Sequence, residues 1–217
     1  MRLDREIIPT RLKKLVKSNQ EQSISSHGVL RAHTLYVNSI SSARKNLDVV
    51  EVGVFRGGTA KIILEGIENV PESKSRAYLI DTFSGHPENA VNSKLDGAQR
   101  VSQFSDTCHE EVRNFLQEYT PRFELIQENA LNLRKDSLPT LKKIGMCHID
   151  VDLYLPTLHV LNVFSKRMVI GSIFVIDDYN NGRSPGTNLA VSEFLHKNHS
   201  YIQLESSVQQ GILIRIN

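Results

Sequence analysis

The chain has no tryptophan, only two cysteines in 217 residues and a formal net charge of just +2. Each scarcity removes a class of reading. A nearly balanced charge gives no support for nucleic-acid binding, which depends on many neutralised phosphates. The local basic patch of Arg11, Lys13, Lys14 and Lys17 reads as a solvated helix face. Cys108 and Cys147 lie far apart, and Cys147 sits inside an apolar run, which predicts a buried thiol and not a disulfide. No apolar stretch approaches the roughly 20 residues that a bilayer-crossing helix needs, so no membrane partner is expected. The opening residues Met1 to Glu6 lack the apolar core of a signal peptide, and a cytoplasmic protein is the expectation. With no tryptophan, six tyrosines and eight phenylalanines, an aromatic stacking pocket is disfavoured. Internal repeats and low-complexity segments are missing as well.

What is present is alternation. A length of 217 residues suits one core better than two. Leu3, Ile7, Leu12, Leu15 and Val16 follow helical spacing, with Pro9 interrupting, and a second helix is predicted over Gly28 to Ala43. Residues 1–47 therefore read as a helical N-terminal cap on a domain spanning 48–217. Strands are predicted at Asp48 to Phe55, at Ala77 to Asp81, at Phe123 to Gln127, up to Asp150 and up to Asp177. Helical stretches fall between them at Gly58 to Ile67, Glu110 to Tyr119, Leu138 to Lys143, Pro156 to Lys166 and, after the last, Asn188 to Lys197. Such alternation builds a mostly parallel α/β sheet with helices on both faces. The last two runs, Tyr201 to Glu205 and Gly211 to Ile216, are too close for a parallel crossover and must form an antiparallel hairpin. A doubly wound, Rossmann-like sheet ending in such a hairpin is the arrangement of class I methyltransferases. Ser84 to Thr107 is polar and too long for an ordinary connection, which predicts a lid or a disordered insertion.

Two acidic clusters stand where buried strands should end. One is His148-Ile-Asp-Val-Asp-Leu-Tyr154, the other Asp177-Asp178. Neighbouring parallel strands lie about 4.8 Å apart, so up to four carboxylates would converge. At 4 Å and an effective dielectric near 20, each like-charge pair costs roughly 4 kcal/mol. A shared proton or a cation relieves that cost, and oxygen-only ligands suit a hard ion such as Mg²⁺. Asp150 and Asp152, two apart, should project to one strand face together with His148. His148 is read first as a hydrogen-bonded histidine at the sheet edge, with a supporting role as the alternative. Tyr154 and Tyr179 could line an acceptor pocket or cap the core, and His86 and His109 are read as surface residues bordering the polar insertion.

The segment Glu51-Val-Gly-Val-Phe-Arg-Gly-Gly-Thr59 follows the first strand and opens a helix. Its G-x-x-x-G-G spacing is not the G-x-G-x-x-G that seats a pyrophosphate, which opposes a Rossmann dehydrogenase. A ligand that approaches the backbone without a pyrophosphate fits better, and S-adenosylmethionine is one. Asp81 ends the second strand, where a carboxylate can accept bonds from both ribose hydroxyls. The structural alternatives are close helix-to-strand packing for Gly57 and Gly58 and helix capping for Asp81.

Together with Asp81-Thr-Phe-Ser-Gly85, His148 to Tyr154 followed by Pro156-Thr157, and Ile176-Asp-Asp-Tyr179, this loop resembles the macrocin O-methyltransferase family. The four segments occur in family order between about Val49 and Phe194. The resemblance implies a class I fold, S-adenosylmethionine as methyl donor, and a sugar hydroxyl of a natural-product glycoside as acceptor. It implies Asp150, Asp177 and Asp178 as ligands of Mg²⁺ or another hard divalent ion, and Asp152 as general base. Donor contacts would then come from Glu51, Gly53, Arg56, Gly57, Thr59, Asp81 and Phe83, and from Asn129 after the third strand. Val151 and Leu155 depart from the family's usual pattern at positions that bear on the acceptor. In such chemistry the ion acidifies and positions the hydroxyl, Asp152 takes its proton, and in-line alignment supplies roughly 7–11 kcal/mol. A catechol-like phenol as acceptor, or a non-catalytic S-adenosylmethionine-binding protein, are the other readings, and homo-oligomerisation is left open.

Overall fold

The computed structural model describes residues 8–22, 24–204 and 209–217. Two helices come first, α1 (Thr10–Glu21) and α2 (Val29–Arg44). Pro9 does not interrupt α1 but precedes it, at the position before the first helical turn, where a missing N–H costs nothing. Leu3 and Ile7 lie outside the described residues. The alternating part then runs β1 (Asp48–Val52), α3 (Gly58–Glu68), β2 (Ala77–Asp81), α4 (His109–Phe115), β3 (Phe123–Gln127), β4 (Ile144–Ile149), α5 (Tyr154–Phe164), β5 (Met168–Asp177) and α6 (Pro185–Lys197). It closes with β6 (Tyr201–Leu204) and β7 (Gln210–Arg215).

The seven strands are ordered β3-β2-β1-β4-β5-β7-β6. The first five are parallel; β7 runs antiparallel to both β5 and β6. The mostly parallel sheet and its closing hairpin match the order expected from the sequence. The strand order switches sides between β1 and β4, and because these strands are parallel the C-terminal ends of β1, β2, β4 and β5 share one edge, where α/β folds place their ligands.

Strand alternation divides the interior in two. Val49, Leu79, Met146 and Val175 point to the face covered by α1, α2, α3 and α4. Val50, Tyr78, Cys147, Phe174 and Ile176 point to the face covered by α5 and α6. Cys147 is fully buried, and neither cysteine is in a disulfide. Burial on both faces explains why these strands read as unbroken apolar runs. Among the described residues no helix is long and apolar enough to cross a membrane.

Three local readings change. The helix expected at Leu138 to Lys143 is a turn. Pro139 supplies no N–H, and the carbonyls of Leu138 and Leu141 are taken by the Arg167 guanidinium at 2.9 and 2.8 Å. A 3-10 turn forms earlier instead, at Ala130–Asn132. The helix expected to reach Tyr119 stops at Phe115 and tightens into a 3-10 turn at Gln117–Tyr119. The polar insertion 84–107 is folded without a regular helix or strand. Its neck is closed by backbone hydrogen bonds from His86 to Gln103 and from Ser102 to His86. Its centre is held by Asp96, which is wholly buried. That carboxylate accepts N–H bonds from Asn92 at 2.6 Å and from Tyr154, at the start of α5, at 2.7 Å. A charge so placed anchors the segment to the sheet edge.

Candidate active site

The site begins with the turn after β1. Gly53 has φ +95°, and a Cβ there would sit 1.8 Å from the backbone oxygen of Asp150. The close approach of β1 and β4 therefore requires glycine. Gly57, at φ +83°, ends the turn, and a side chain there would press on Val112 and Phe115 of α4. Phe55 adopts φ 50° in the same turn, an unusual conformation for a bulky residue. Asp81 holds this backbone in place. Its Oδ2 accepts the N–H groups of Val54 and Phe55 at 2.7 and 2.8 Å, and its Oδ1 accepts that of Phe83 at 2.7 Å. Remaining lone pairs on those oxygens are the ones a ribose could use.

The turn lines a cavity of about 980 Å³. Of the residues expected to meet the donor, Gly53, Arg56, Thr59, Asp81 and Asn129 border it. Glu51, Gly57 and Phe83 are not among its lining residues. Glu51 is fully buried and accepts a hydrogen bond at 2.8 Å from His148 Nδ1, its register partner on β4. Phe83 stacks edge-on against His109, whose Nε2 reaches the Leu125 carbonyl oxygen. Arg56 pairs with Asp106 and so ties the glycine turn to the end of the polar insertion. Tyr154 and Tyr179 do not line the cavity; their hydroxyls bond Glu193 and Gln203.

Beside this turn, β4 and β5 are parallel neighbours, and their acidic ends line the same cavity. Carboxylate oxygens of Asp150, Asp177 and Asp178 lie within 4.8 Å of one another. A single ion with oxygen bonds of 2.0–2.6 Å spans such a gap with small side-chain adjustment, and the all-oxygen donor set is that of a hard cation. Asp152 does not reach the cluster by strand periodicity. Strand β4 ends at Ile149, and Asp152 turns with φ 57°, matched by φ 54° at Asp178. Left-handed backbone at two carboxylate-bearing residues is local strain of about 1–3 kcal/mol each, of the kind that gathers at functional sites.

The charges are strongly perturbed. Burial pushes the Asp150 carboxyl well above the usual range, reinforced by Asp177, Asp152 and Asp178. Burial does the same to Asp152, and the neighbouring Asp178 carboxylate adds to it, while a hydrogen bond from Ser184 Oγ at 3.0 Å opposes it. Burial would raise Asp177 as well, but His27, His148 and Arg31 hold it below the ordinary carboxylate range.

The sequence reading placed nothing from the N-terminal helices in this site, yet they reach it. Arg31 Nη1 lies 2.6 Å from Asp177 Oδ2 and 3.5 Å from Asp178 Oδ1. His27 Nε2 lies 3.2 Å from Asp177 and 3.5 Å from Asp150. His27 lies in the loop just before α2 and Arg31 in its first turn, so no shared helical spacing announces the pair in the sequence. His86, read from sequence as a surface residue, is instead a half-enclosed wall of the cavity 4.0 Å from Asp152, and burial lowers its pKa. Ser184 is wholly buried and receives a bond from Gln99, so the polar insertion reaches Asp152 through one hydroxyl.

Comparison with known proteins adds the lineage. The fold is shared with a solved structure of the O-methyltransferase NovP, at a TM-score of 0.75 and 20% identity, covering 88% of this chain and 81% of that one. In sequence the chain is 30% identical over 143 residues to demethyldecarbamoylnovobiocin O-methyltransferase of Streptomyces niveus, 61% of this chain and 52% of that protein. It is 29% identical over 142 residues, again 61% and 52%, to an 8-demethyl-8-(2,3-dimethoxy-alpha-L-rhamnosyl)-tetracenomycin-C 4'-O-methyltransferase of Streptomyces olivaceus. These alignments span about half the length of the curated relatives. Residues 28–214, from the end of the first loop to the last strand, match the macrocin-O-methyltransferase (TylF) family, and the chain belongs to it.

Proposed function

We propose that this protein moves a methyl group from S-adenosylmethionine to a hydroxyl of a sugar or glycosylated natural product, with a divalent ion such as Mg²⁺ at the acidic strand ends. The observation that carries the reading is the convergence of Asp150, Asp152, Asp177 and Asp178 on the same cavity as the glycine turn and Asp81. Donor turn and acid cluster line one chamber, as a transfer between two substrates requires. The family and its curated relatives, named for O-methylation of glycosylated compounds, support the choice of reaction.

Asp150, Asp177 and Asp178 would hold the ion, which when bound supplies the Lewis acidity that lowers a hydroxyl's pKa. Asp81 keeps the turn rigid through three backbone N–H groups, so Gly53, Arg56 and Thr59 present a fixed wall to the donor. Asn129 caps the turn after β3 through its own carbonyl and faces the same chamber, where it would meet the donor's base. Glu51, Gly57 and Phe83 serve that wall from behind. Asp152 lies beside the cluster with one oxygen held by Ser184, oriented to accept the proton that the acceptor hydroxyl loses. Arg31 holds Asp177 Oδ2 and would share that carboxylate with an ion. Sparse aromatic lining, Phe55 and Phe104, suits a sugar better than a stacked phenol.

The test is methyl transfer from labelled S-adenosylmethionine to a panel of glycosides and catechols. Labelled glycosides are the expected product. Labelling of catechols alone would reassign the acceptor, and donor binding without any transfer would leave a binding protein.

A further inference from the structure

One buried pair at this edge is left over by that scheme. His148 is completely buried on β4, on the sheet face covered by the N-terminal helices. Its Nδ1 is held by Glu51 at 2.8 Å. Its Nε2 has no hydrogen-bond partner and no exposure. An imidazole that donates Nδ1–H to a carboxylate keeps an oriented lone pair on Nε2, which is how metal-binding histidines are prepared. A buried acceptor left dry and unpaired carries its full desolvation penalty, so an absent partner is implied.

A second imidazole faces it. The rings of His27 and His148 are 6.2 Å apart and nearly perpendicular. Ser25 Oγ lies 2.9 Å from His27 Nδ1, and His27 Nε2 is likewise buried, near carboxylates but out of line for a hydrogen bond. One donor atom from each of His27, His148 and Asp150 fits within a 4.8 Å span. Two imidazoles and one carboxylate are a donor set different from the all-oxygen group beside it. Imidazole suits Zn²⁺, Co²⁺ or Fe²⁺, whereas Mg²⁺ seeks oxygen.

We propose that His27, His148 and Asp150 form a second divalent-cation site, taking a borderline ion such as Zn²⁺ or Co²⁺ and sharing Asp150 with the oxygen-only set. Glu51 is its positioning residue, acting through His148. The site ties α2's approach to the sheet edge, since His27 precedes that helix and His148 lies beneath it. It stands whether or not the methyl-transfer reading holds, because binding of the ion alone decides it.

The experiment uses the whole chain, stripped with chelator and loaded with Co²⁺, Mn²⁺ or Mg²⁺ alone. Nitrogen coupling in the pulsed electron-spin signal of bound Mn²⁺, and a Co²⁺ absorption band typical of nitrogen ligation, are expected in the wild type. His27→Gln, a change in a loop, should weaken Co²⁺ binding at least tenfold and leave Mg²⁺ binding in place. Glu51→Gln should weaken Co²⁺ by about 10–100-fold, the usual effect of removing a ligand's carboxylate partner. Asp178→Asn should do the reverse, sparing Co²⁺ and losing Mg²⁺. Should the buried variant fail to fold, His27→Gln and the wild-type nitrogen signal still decide. Unchanged Co²⁺ affinity in His27→Gln, or no nitrogen coupling in the wild type, overturns the proposal. So does an equal loss of both ions in His27→Gln and Asp178→Asn, which describes one ion in one site. A protein that binds Co²⁺ through nitrogen but never Mg²⁺ would keep this site and refute the oxygen-only one.

Discussion

At the scale of single residues, the site is built from positions where one atom decides. Asp152 is the sharpest case. Its carboxyl is buried beside that of Asp178 and takes a hydrogen bond from Ser184. Asp152→Asn keeps the shape and removes the base. We expect kcat to fall by roughly 10²–10⁴-fold, the range of general acid–base catalysis, while calorimetric binding of donor and ion stays near the wild-type value. A rate like the wild type's would assign the proton elsewhere. Gly53 is decisive in another way. Alanine there must adopt positive φ and push against the Asp150 carbonyl oxygen. Gly53→Ala should lose about 2–4 kcal/mol of stability, read from the denaturant midpoint, since overpacking and strain each cost about 1–3 kcal/mol. The acids themselves were legible in the sequence because aspartate at the end of an apolar strand is costly without a purpose. Arg31 and His27 were not, since their meaning depends on where α2 crosses the sheet, which periodicity does not encode. The face of Asp152 was misjudged for a local reason: strand alternation ends at Ile149, and a left-handed residue then sets the direction.

At the scale of elements, strands and the closing hairpin were readable because burial on both faces writes long apolar runs. The turn at Leu138 to Lys143 was misread as helix because its apolar spacing is genuine, but Arg167 spends the carbonyls that a helix would need. The insertion 84–107 is polar in composition and yet folded. Its polar groups are turned inward, with Asp96 bonding the backbone of Asn92 and Tyr154. Hydrogen bonds to a charged group contribute about 1.5–3 kcal/mol each, so this one carboxylate holds both the segment and the start of α5. The wild-type segment should therefore resist protease about as well as its neighbours. Asp96→Ala should open it, and cleavage within 84–107, mapped by mass spectrometry, should rise at least tenfold while the core strands stay protected. Rapid cleavage there in the wild type, unchanged in the variant, would mean that Asp96 anchors nothing.

At the scale of the whole molecule, the sheet brings two chemistries to one edge. The β1 turn, braced by Asp81, and the acids at the ends of β4 and β5 line one cavity. The N-terminal helices complete the chamber by delivering His27 and Arg31 to the acids, which gives residues ahead of β1 a share in the site. That arrangement explains why the acids are tolerated: Arg31 and His27 offset part of their repulsion, and a cation would offset the rest. The central claim is that this cluster exists to hold an ion during methyl transfer, and one measurement tests it most directly. Transfer of labelled methyl to the best glycoside acceptor is followed in enzyme treated with chelator, then after Mg²⁺ is restored, with circular dichroism recorded alongside. The account predicts that chelation abolishes turnover without unfolding the chain, because the ion joins strand ends already in place, and that Mg²⁺ brings the rate back. Full-rate transfer in the continued presence of chelator would contradict it.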